Sequence, residues 1–310
     1  MITTVTLNPA IDRTVVVEKF AFGEVNRVQS VREDMGGKGI NVARILKALG
    51  SETKATGFIG HSNIGHVRSL LEQDGLNTDL IEIDAATRTN TKLIETTSRS
   101  TTDINEAGFS VDAADIRAIE TKIDELSAQS QFIVFSGSLP KGLPTDFYRQ
   151  LISRVHPPCQ SVLDADGILL LEGLKAAPAL IKPNIHELES ALDVRLETEA
   201  AIVAACRQLI TQYGIIYVLV SMGGDGSILV SQDQALFAEP LKVDVRGTVG
   251  AGDSMLAGFV HCLSQNLGLE QALSWATACG ALAVSKVGTE SFSRQDVERM
   301  AAQVVLRPTR

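Results

Sequence analysis

Ala201-Ile202-Val203-Ala204-Ala205-Cys206-Arg207-Gln208-Leu209-Ile210-Thr211-Gln212-Tyr213-Gly214-Ile215-Ile216-Tyr217-Val218-Leu219-Val220-Ser221 changes its hydrophobic period halfway along. Ile202, Cys206, Leu209 and Ile210 recur at helical spacing, and Gly214 supplies a C-terminal stop. The apolar run Ile215–Ser221 then reads as a buried strand. A helix feeding such a strand is the crossover unit of a parallel sheet. Further strands are predicted at Gln131–Phe135, Ser161–Asp164 and Ala179–Lys182, so the fold class is α/β with a doubly wound, mostly parallel sheet. Nearer the start, Met1–Leu7 alternates like a strand, and Ile40, Ala43, Leu46 and Leu49 make a helix ending at Gly50.

Two stretches break this alternation: about 12–34, with Thr14-Val15-Val16-Val17, and about 88–107, with Thr91-Lys92-Leu93-Ile94-Glu95. Both are rich in Thr, Val and charge and lack a helical period, which predicts strands outside the main sheet. Paired, the two insertions would form a small β-sheet lid. A lid sheet has open edges and an apolar face to cover, and a second subunit is a simple cover, so a homodimer through the lid is expected. No internal repeat or low-complexity linker divides the chain, and a single domain over 1–310 is expected.

Lys and Arg number 28 against 37 Asp and Glu, a formal charge of −9. That balance disfavours nucleic acid or an anionic membrane as a partner, and an anionic small molecule would need basic residues gathered locally. Cys159, Cys206, Cys262 and Cys279 have no C-x-x-C spacing and sit in apolar or helical surroundings. They read as buried thiols in a reducing compartment, with neither zinc nor a disulfide. The first residues lack a signal peptide's basic start, and no later run reaches about 18 apolar residues. A cytoplasmic protein is expected. His61, His66, His156, His186 and His261 have no metal-binding spacing.

Chemistry concentrates at Gly250-Ala251-Gly252-Asp253, between a predicted short polar strand and the apolar run Ser254–Val260. Small residues ahead of a helix leave backbone N–H groups of Gly250, Ala251 and Gly252 bare, where the helix dipole favours a phosphate-sized anion. A carboxylate beside such a hole suits a general base that takes a proton from an attacking hydroxyl. The competing reading is that Asp253 only caps the helix. Met35-Gly36-Gly37-Lys38-Gly39-Ile40-Asn41 brings backbone, ammonium and amide donors to another helix start, suited to a polyhydroxyl ligand, or else forms a tight turn with a solvated lysine. It is neither a Walker A loop nor a dinucleotide fingerprint. Asn8 and Asp12 follow the first strand, where polar groups commonly face a ligand crevice.

Asn184 and Glu187, after Lys182-Pro183, can orient Mg²⁺ through waters or simply form a capping box. Ser221-Met222-Gly223-Gly224-Asp225-Gly226 can let a nucleotide lie against the backbone or serve as a hairpin turn. Arg27, Lys38 and Arg88 lie in or beside the lid and glycine loop, and Arg88 is the first choice to grip a phosphate with a forked hydrogen bond.

Asn8-Pro9-Ala10-Ile11-Asp12, Gly36–Ala43, Ser136-Gly137-Ser138-Leu139-Pro140, Lys182-Pro183-Asn184 and Gly250–Ser254 occur in the order seen in phosphofructokinase B-type sugar kinases of the ribokinase superfamily, which the whole chain resembles. Thr87–Leu93, Asp103–Gly108 and Thr248–Met255 are most similar to the branch acting on fructose 1-phosphate and tagatose 6-phosphate. The resemblance implies a ribokinase-like core with a β-sheet lid and ATP- and Mg²⁺-dependent phosphorylation of a ketose monophosphate. Fructose 1-phosphate is the leading substrate, with a tagatose-6-phosphate kinase or 6-phosphofructokinase as the alternative and a non-catalytic sugar-phosphate sensor as the different class. It further implies Asp253 as base with the Gly250, Ala251 and Gly252 amides as anion hole. Asp12, Arg27, Gly37, Lys38, Asn41, Arg88 and Asn90 would hold the sugar phosphate. Lys182, Asn184, Ser221, Gly223 and Gly226 would face ATP, with Glu187 and Asn184 toward Mg²⁺. Gly247, where many relatives carry Asp or Asn, and Asp103, where Glu is frequent, depart from the pattern.

Overall fold

A computed structural model describes residues 1–286 and 292–309. The chain begins β1 (Ile2–Thr6), β2 (Ala10–Val17), β3 (Ser30–Gly36), α1 (Lys38–Ala48), β4 (Thr53–Gly60), α2 (Ile64–Asp74), β5 (Thr78–Ile83), β6 (Arg88–Glu95) and β7 (Ser100–Asn105). It continues α3 (Ala113–Ser127), β8 (Phe132–Ser136), α4 (Phe147–Ile152), β9 (Gln160–Asp164), α5 (Gly167–Leu174), β10 (Leu180–Ile181), α6 (Ile185–Leu192) and α7 (Glu199–Tyr213). The last part is β11 (Tyr217–Ser221), β12 (Ser227–Val230), β13 (Ala235–Ala238), α8 (Ala251–Ser264), α9 (Leu269–Val284), α10 (Arg294–Ala301) and β14 (Leu306–Pro308).

The main sheet has the order β14-β13-β12-β11-β10-β9-β8-β1-β4-β5. From β11 to β5 each neighbouring pair is parallel, and β12 to β14 extend one edge antiparallel. Both faces are apolar, as a parallel sheet between helices requires. In β8, Phe132 and Val134 pack with Val42 and Leu46 of α1, Leu256 and Phe259 of α8 and Leu273 of α9. The alternate residues Ile133 and Phe135 join Ile119, Leu151, Leu170 and Ile202 from α3, α4, α5 and α7 on the opposite face. The period of two in the strand thus divides one segment between two cores.

Helix α7 starts where the Thr198 hydroxyl accepts from the Ala201 N–H and ends at Gly214, which is left-handed with φ 74. The strand after it is shorter than predicted, because Ile216 and Tyr217 both donate to Ala179 O before pairing begins. β10 is likewise shorter than Ala179–Lys182, since Pro183 has no N–H to continue a ladder and its carbonyl instead accepts from Ser221 N. The short polar strand predicted before Gly250 is not formed. The edge of β13 is already paired by β14, and the Arg246 and Gly247 N–H groups bond Val284 O at the end of α9.

The stretches read as extra strands make a separate sheet in the order β3-β2-β6-β7. β2 and β6 run parallel, placing Ala10 beside Arg88 and Asp12 beside Asn90, while β3 and β7 flank them antiparallel. Only Leu7–Pro9 separate β1 from β2, so this second sheet begins at the carboxyl end of a central strand. All four cysteines are buried free thiols. Among the described residues no helix is long and apolar enough to cross a membrane.

Candidate active site

A crevice of about 520 Å³ opens where β1, β8, β9, β10 and β11 end. The strand order runs outward in opposite directions from β1, and ligand sites of open α/β sheets lie at such switch points. Each strand delivers polar groups there. β1 contributes Thr6 and Asn8, β8 Ser136 to Ser138, β9 Asp164 and Asp166, β10 Lys182 and Asn184, and β11 Ser221. The second sheet adds Asp12, Arg88 and Asn90, and the starts of α1 and α8 close the ring.

Gly250 is the N-cap of α8 in a left-handed conformation (φ 75), open to glycine at no steric cost, and no side chain caps the helix. The capping reading of Asp253 therefore does not hold. Asp253 lies in the first turn of α8, 6% exposed, and its Oδ2 accepts from Asn41 Nδ2 at 2.8 Å. Gly250 and Gly252 line the crevice, whereas the Ala251 N–H turns to Thr248 O at 3.4 Å. Among the described residues the Gly252 and Asp253 N–H groups have no protein acceptor, which leaves two donors at a helix start. Burial pushes the Asp253 carboxyl up to about 6, with the Asp164 charge adding to it and the Asn41 bond, Lys38 and Lys182 opposing. A carboxylate so held sits close to the operating range of a general base.

Asp164 is the residue that sequence reasoning left out of the site. Its Oδ1 lies 3.3 Å from Lys38 Nζ and 3.5 Å from Lys182 Nζ, and Oδ2 is buried with no hydrogen-bond partner. Burial alone would raise this carboxyl, but Lys182 and Lys38 outweigh it and hold it below its ordinary value. Burial would likewise lower the Lys38 ammonium, and the Asp164, Asp253 and Glu187 carboxylates carry it above the usual lysine value. Two cations are thus held together in the crevice, with Lys182 beside Gly252 at the start of α8. The available signal was position: Asp164 ends a predicted strand, as Asn8 and Lys182 do. Thr6 and Asp166 also line the crevice and were not singled out, and Ser136 and Ser138, quoted only as part of a motif with no role assigned, line it too.

At the second sheet, burial raises the Asp12 carboxyl against the opposing Asn90 hydrogen bond and Arg88 charge. Asn90 Nδ2 donates to Asp12 Oδ1 at 3.3 Å. A Cβ on Gly36 would fall 2.0 Å from Asp12 Oδ2, so only glycine lets the loop pass. Arg88 donates to Asn8 O, Pro9 O and Glu106 O, three carbonyls that aim it into the crevice. Gly37, Lys38 and Asn41 line the same wall. Arg27 does not: it is exposed on the β2–β3 loop, outside its own chain's crevice.

At the opposite end, Asn184 and Glu187 form a reciprocal capping box on α6 while also lining the crevice. Glu187 Oε2 accepts from Asn184 N and leaves Oε1 outside the cap. Ser221 reaches the crevice, but Gly223 and Gly226 lie beyond it in the turn joining β11 to antiparallel β12. Gly226 is packed against Ala238 O, so the hairpin reading of that motif holds for it. Among the described residues no group of three His, Cys, Asp or Glu side chains could hold a metal ion by itself.

The family model described as "pfkB family carbohydrate kinase" matches residues 5–296. A 1-phosphofructokinase of Xanthomonas campestris pv. campestris is 38% identical over 309 residues, covering 98% of this chain and 97% of its own. The 1-phosphofructokinase of Escherichia coli K12 is 37% identical over 310 residues, covering 99% and 98%. Among solved structures, the tetrameric inhibited form of phosphofructokinase-2 from Escherichia coli superposes with a TM-score of 0.89 at 27% identity, covering 97% and 98%. With a match spanning the second sheet, the glycine loop and the Asp253 helix alike, this chain belongs to the pfkB family of carbohydrate kinases.

Proposed function

We propose that this enzyme, acting as one kinase domain with the second sheet as its lid, phosphorylates fructose 1-phosphate at its free primary hydroxyl with ATP. The observation that carries the reaction is the meeting of one buried, proton-hungry carboxylate, Asp253, with two uncommitted helix N–H groups and the paired ammoniums of Lys38 and Lys182. Asp253 takes the hydroxyl proton as that oxygen attacks the γ-phosphoryl and the bond to the bridging β-phosphate oxygen breaks to release ADP, while the amides and ammoniums receive the charge spread over the transferring group. Positioning and electrostatics supply most of the acceleration in such a transfer. Fructose 1-phosphate is favoured over tagatose 6-phosphate and fructose 6-phosphate by the identity of the curated relatives.

Asp12, Gly37, Asn41, Asn90 and Arg88 hold the sugar phosphate, with Arg88 as the phosphate grip. Lys182, Asn184 and Ser221 face ATP. Mg²⁺ would be held beside Glu187 and Asn184, where one Glu187 oxygen is outside the capping box. So few protein ligands among the described residues suit an ion that keeps its waters and the nucleotide's phosphates, whose charge it would neutralise. An ADP-release assay on the three ketose phosphates, with wild type and Arg88→Ala, tests this reading. The highest kcat/KM is expected for fructose 1-phosphate, and Arg88→Ala is expected to raise its KM about tenfold or more while sparing that of ATP. Preference for a 6-phosphate reassigns the substrate, and equal effects on both KM values remove Arg88 as the grip.

The enzyme is further proposed to dimerise through the lid. Phe22 (96% exposed), Val25 (84%), Val28, Val31 and Ile104 leave an apolar surface on the second sheet and its β2–β3 loop. Arg27 shares that loop, so its service to a substrate would run across this interface. Sedimentation should give a dimer for wild type and a monomer for Phe22→Ser/Val25→Ser; an unchanged dimer would locate the contact elsewhere.

A further inference from the structure

The hydrogen bond on Asp253 depends on which end of the Asn41 amide faces it. An ionised carboxylate only accepts, so it needs the NH2 end. One turn further along α1, Arg44 Nη1 donates to Asn41 Oδ1 at 2.9 Å. A guanidinium only donates and keeps its charge, so it demands the oxygen end. A flipped amide would set oxygen against carboxylate and NH2 against guanidinium at once.

Arg44 is itself held fast. It is 8% exposed; Nε donates to Asp74 Oδ1 at 3.0 Å, and Nη2 to Asp74 Oδ2 at 2.6 Å and Met35 O at 2.7 Å. A forked pair of this kind fixes direction as well as distance. Asp74 ends α2 and Met35 lies in β3, so one guanidinium joins the second sheet, α2 and, through Asn41, the start of α8. Asn41 and Asp253 are 212 residues apart.

We propose that Arg44, clamped by Asp74, is a positioning residue that locks the Asn41 amide with its NH2 toward Asp253. The assignment rests on the reading of Asp253 as the base. The charged groups acting on Asp253 from the surrounding elements are Lys38 of α1, Lys182 after β10 and Asp164 of β9, and those about Arg44 are Asp74 and Asp12. None of them bonds the Asn41 amide oxygen among the described residues.

The test is the pH profile of kcat for the full-length enzyme with ATP, Mg²⁺ and fructose 1-phosphate. Without Arg44 the amide can turn its oxygen to Asp253 and favour the protonated carboxyl. In Arg44→Met the acid limb is expected to move up by about one pH unit, with turnover about twofold down near neutrality, about tenfold down well below pH 6, and regained at higher pH. Arg44→Lys, with a single point donor, should show a smaller displacement. In an Asn41→Ala background, Arg44→Met should add no further displacement, as for two members of one chain. Lower turnover with an unmoved limb, or displacements that simply add, overturns the proposal. If Arg44→Met does not fold, Arg44→Lys decides by the same limb. Asp253→Asn distinguishes the two layers: retained turnover removes the base itself, whereas lost turnover with an unmoved Arg44 limb removes only the positioning role.

Discussion

Asp253→Asn is expected to lose roughly 10²–10⁴-fold in kcat while the fold becomes more stable at pH 7. The loss follows from replacing the carboxylate bonded to Asn41 with a group that cannot accept a proton. The gain follows from the cost of holding a charge where burial opposes it. Asp253 has a folded pKa of about 6 against an ordinary 3.8. A group raised in this way contributes stability below its unfolded value and loses it as pH rises through the folded value. At neutral pH the ionised carboxylate therefore works against folding, on the order of 3 kcal/mol. Chemical denaturation of both proteins at pH 7 and near pH 4 checks the sign: the advantage of Asp253→Asn should shrink at the lower pH. Turnover close to wild type would remove Asp253 from the chemistry, and a less stable variant would contradict the electrostatic account. For wild type, kcat should fall on the acid side through about pH 6.

Asp164→Ala has the second large effect, and here stability and activity fall together. Its Oδ1 lies within reach of both Lys38 Nζ and Lys182 Nζ, at 3.3 and 3.5 Å. Lys182 is 5% exposed at the side chain, so removing the carboxylate takes the ion-pair partner from a buried ammonium and leaves it facing another. Breaking a buried ion pair from one side costs about 3–5 kcal/mol. The measurement is urea unfolding of Asp164→Ala, Lys182→Met and the double variant. The double variant should recover a large part of the loss, because it no longer buries an unpaired cation. Equal loss in single and double variants would mean that packing, not charge, holds this point. The pH signature runs opposite to that of Asp253. Asp164 lies below its ordinary value, so its contribution is present above about 3.8 and is lost as pH falls through the depressed folded value.

The two carboxylates explain each other's behaviour. Asp164 has first claim on Lys182 and Lys38, and its own charge then raises Asp253. One acid is kept ionised as a scaffold for cations, and the other is kept ready for a proton. Separate environments dividing two like groups into separate tasks is a recurring device of acid–base sites.

Local physics was legible in the chain. Ile202, Cys206, Leu209 and Ile210 announce a helix because burial on one face needs their spacing, and Gly214 ends it in a conformation that glycine adopts freely. The Thr- and Val-rich stretches near residues 14 and 91 announce strands outside the main sheet, and Gly250 to Asp253 a helix start suited to an anion. Segments whose state depends on a distant partner were not legible in this way. The stretch before Gly250 alternates like a strand, yet β14 holds the edge and α9 takes its N–H groups.

The sequence by itself therefore determined the alternation of helices and strands, the second sheet and the candidate groups at strand ends, because capping, periodicity and backbone freedom act over a few residues. Tertiary structure alone decided that Asp164 would join Lys38 to Lys182, that Asn41 would reach Asp253, and that Arg44 would turn the amide between them. Those outcomes depend on charge and hydrogen-bond partners brought together across the sheet, and the strength of each is set by a burial that exists only once the layers have closed.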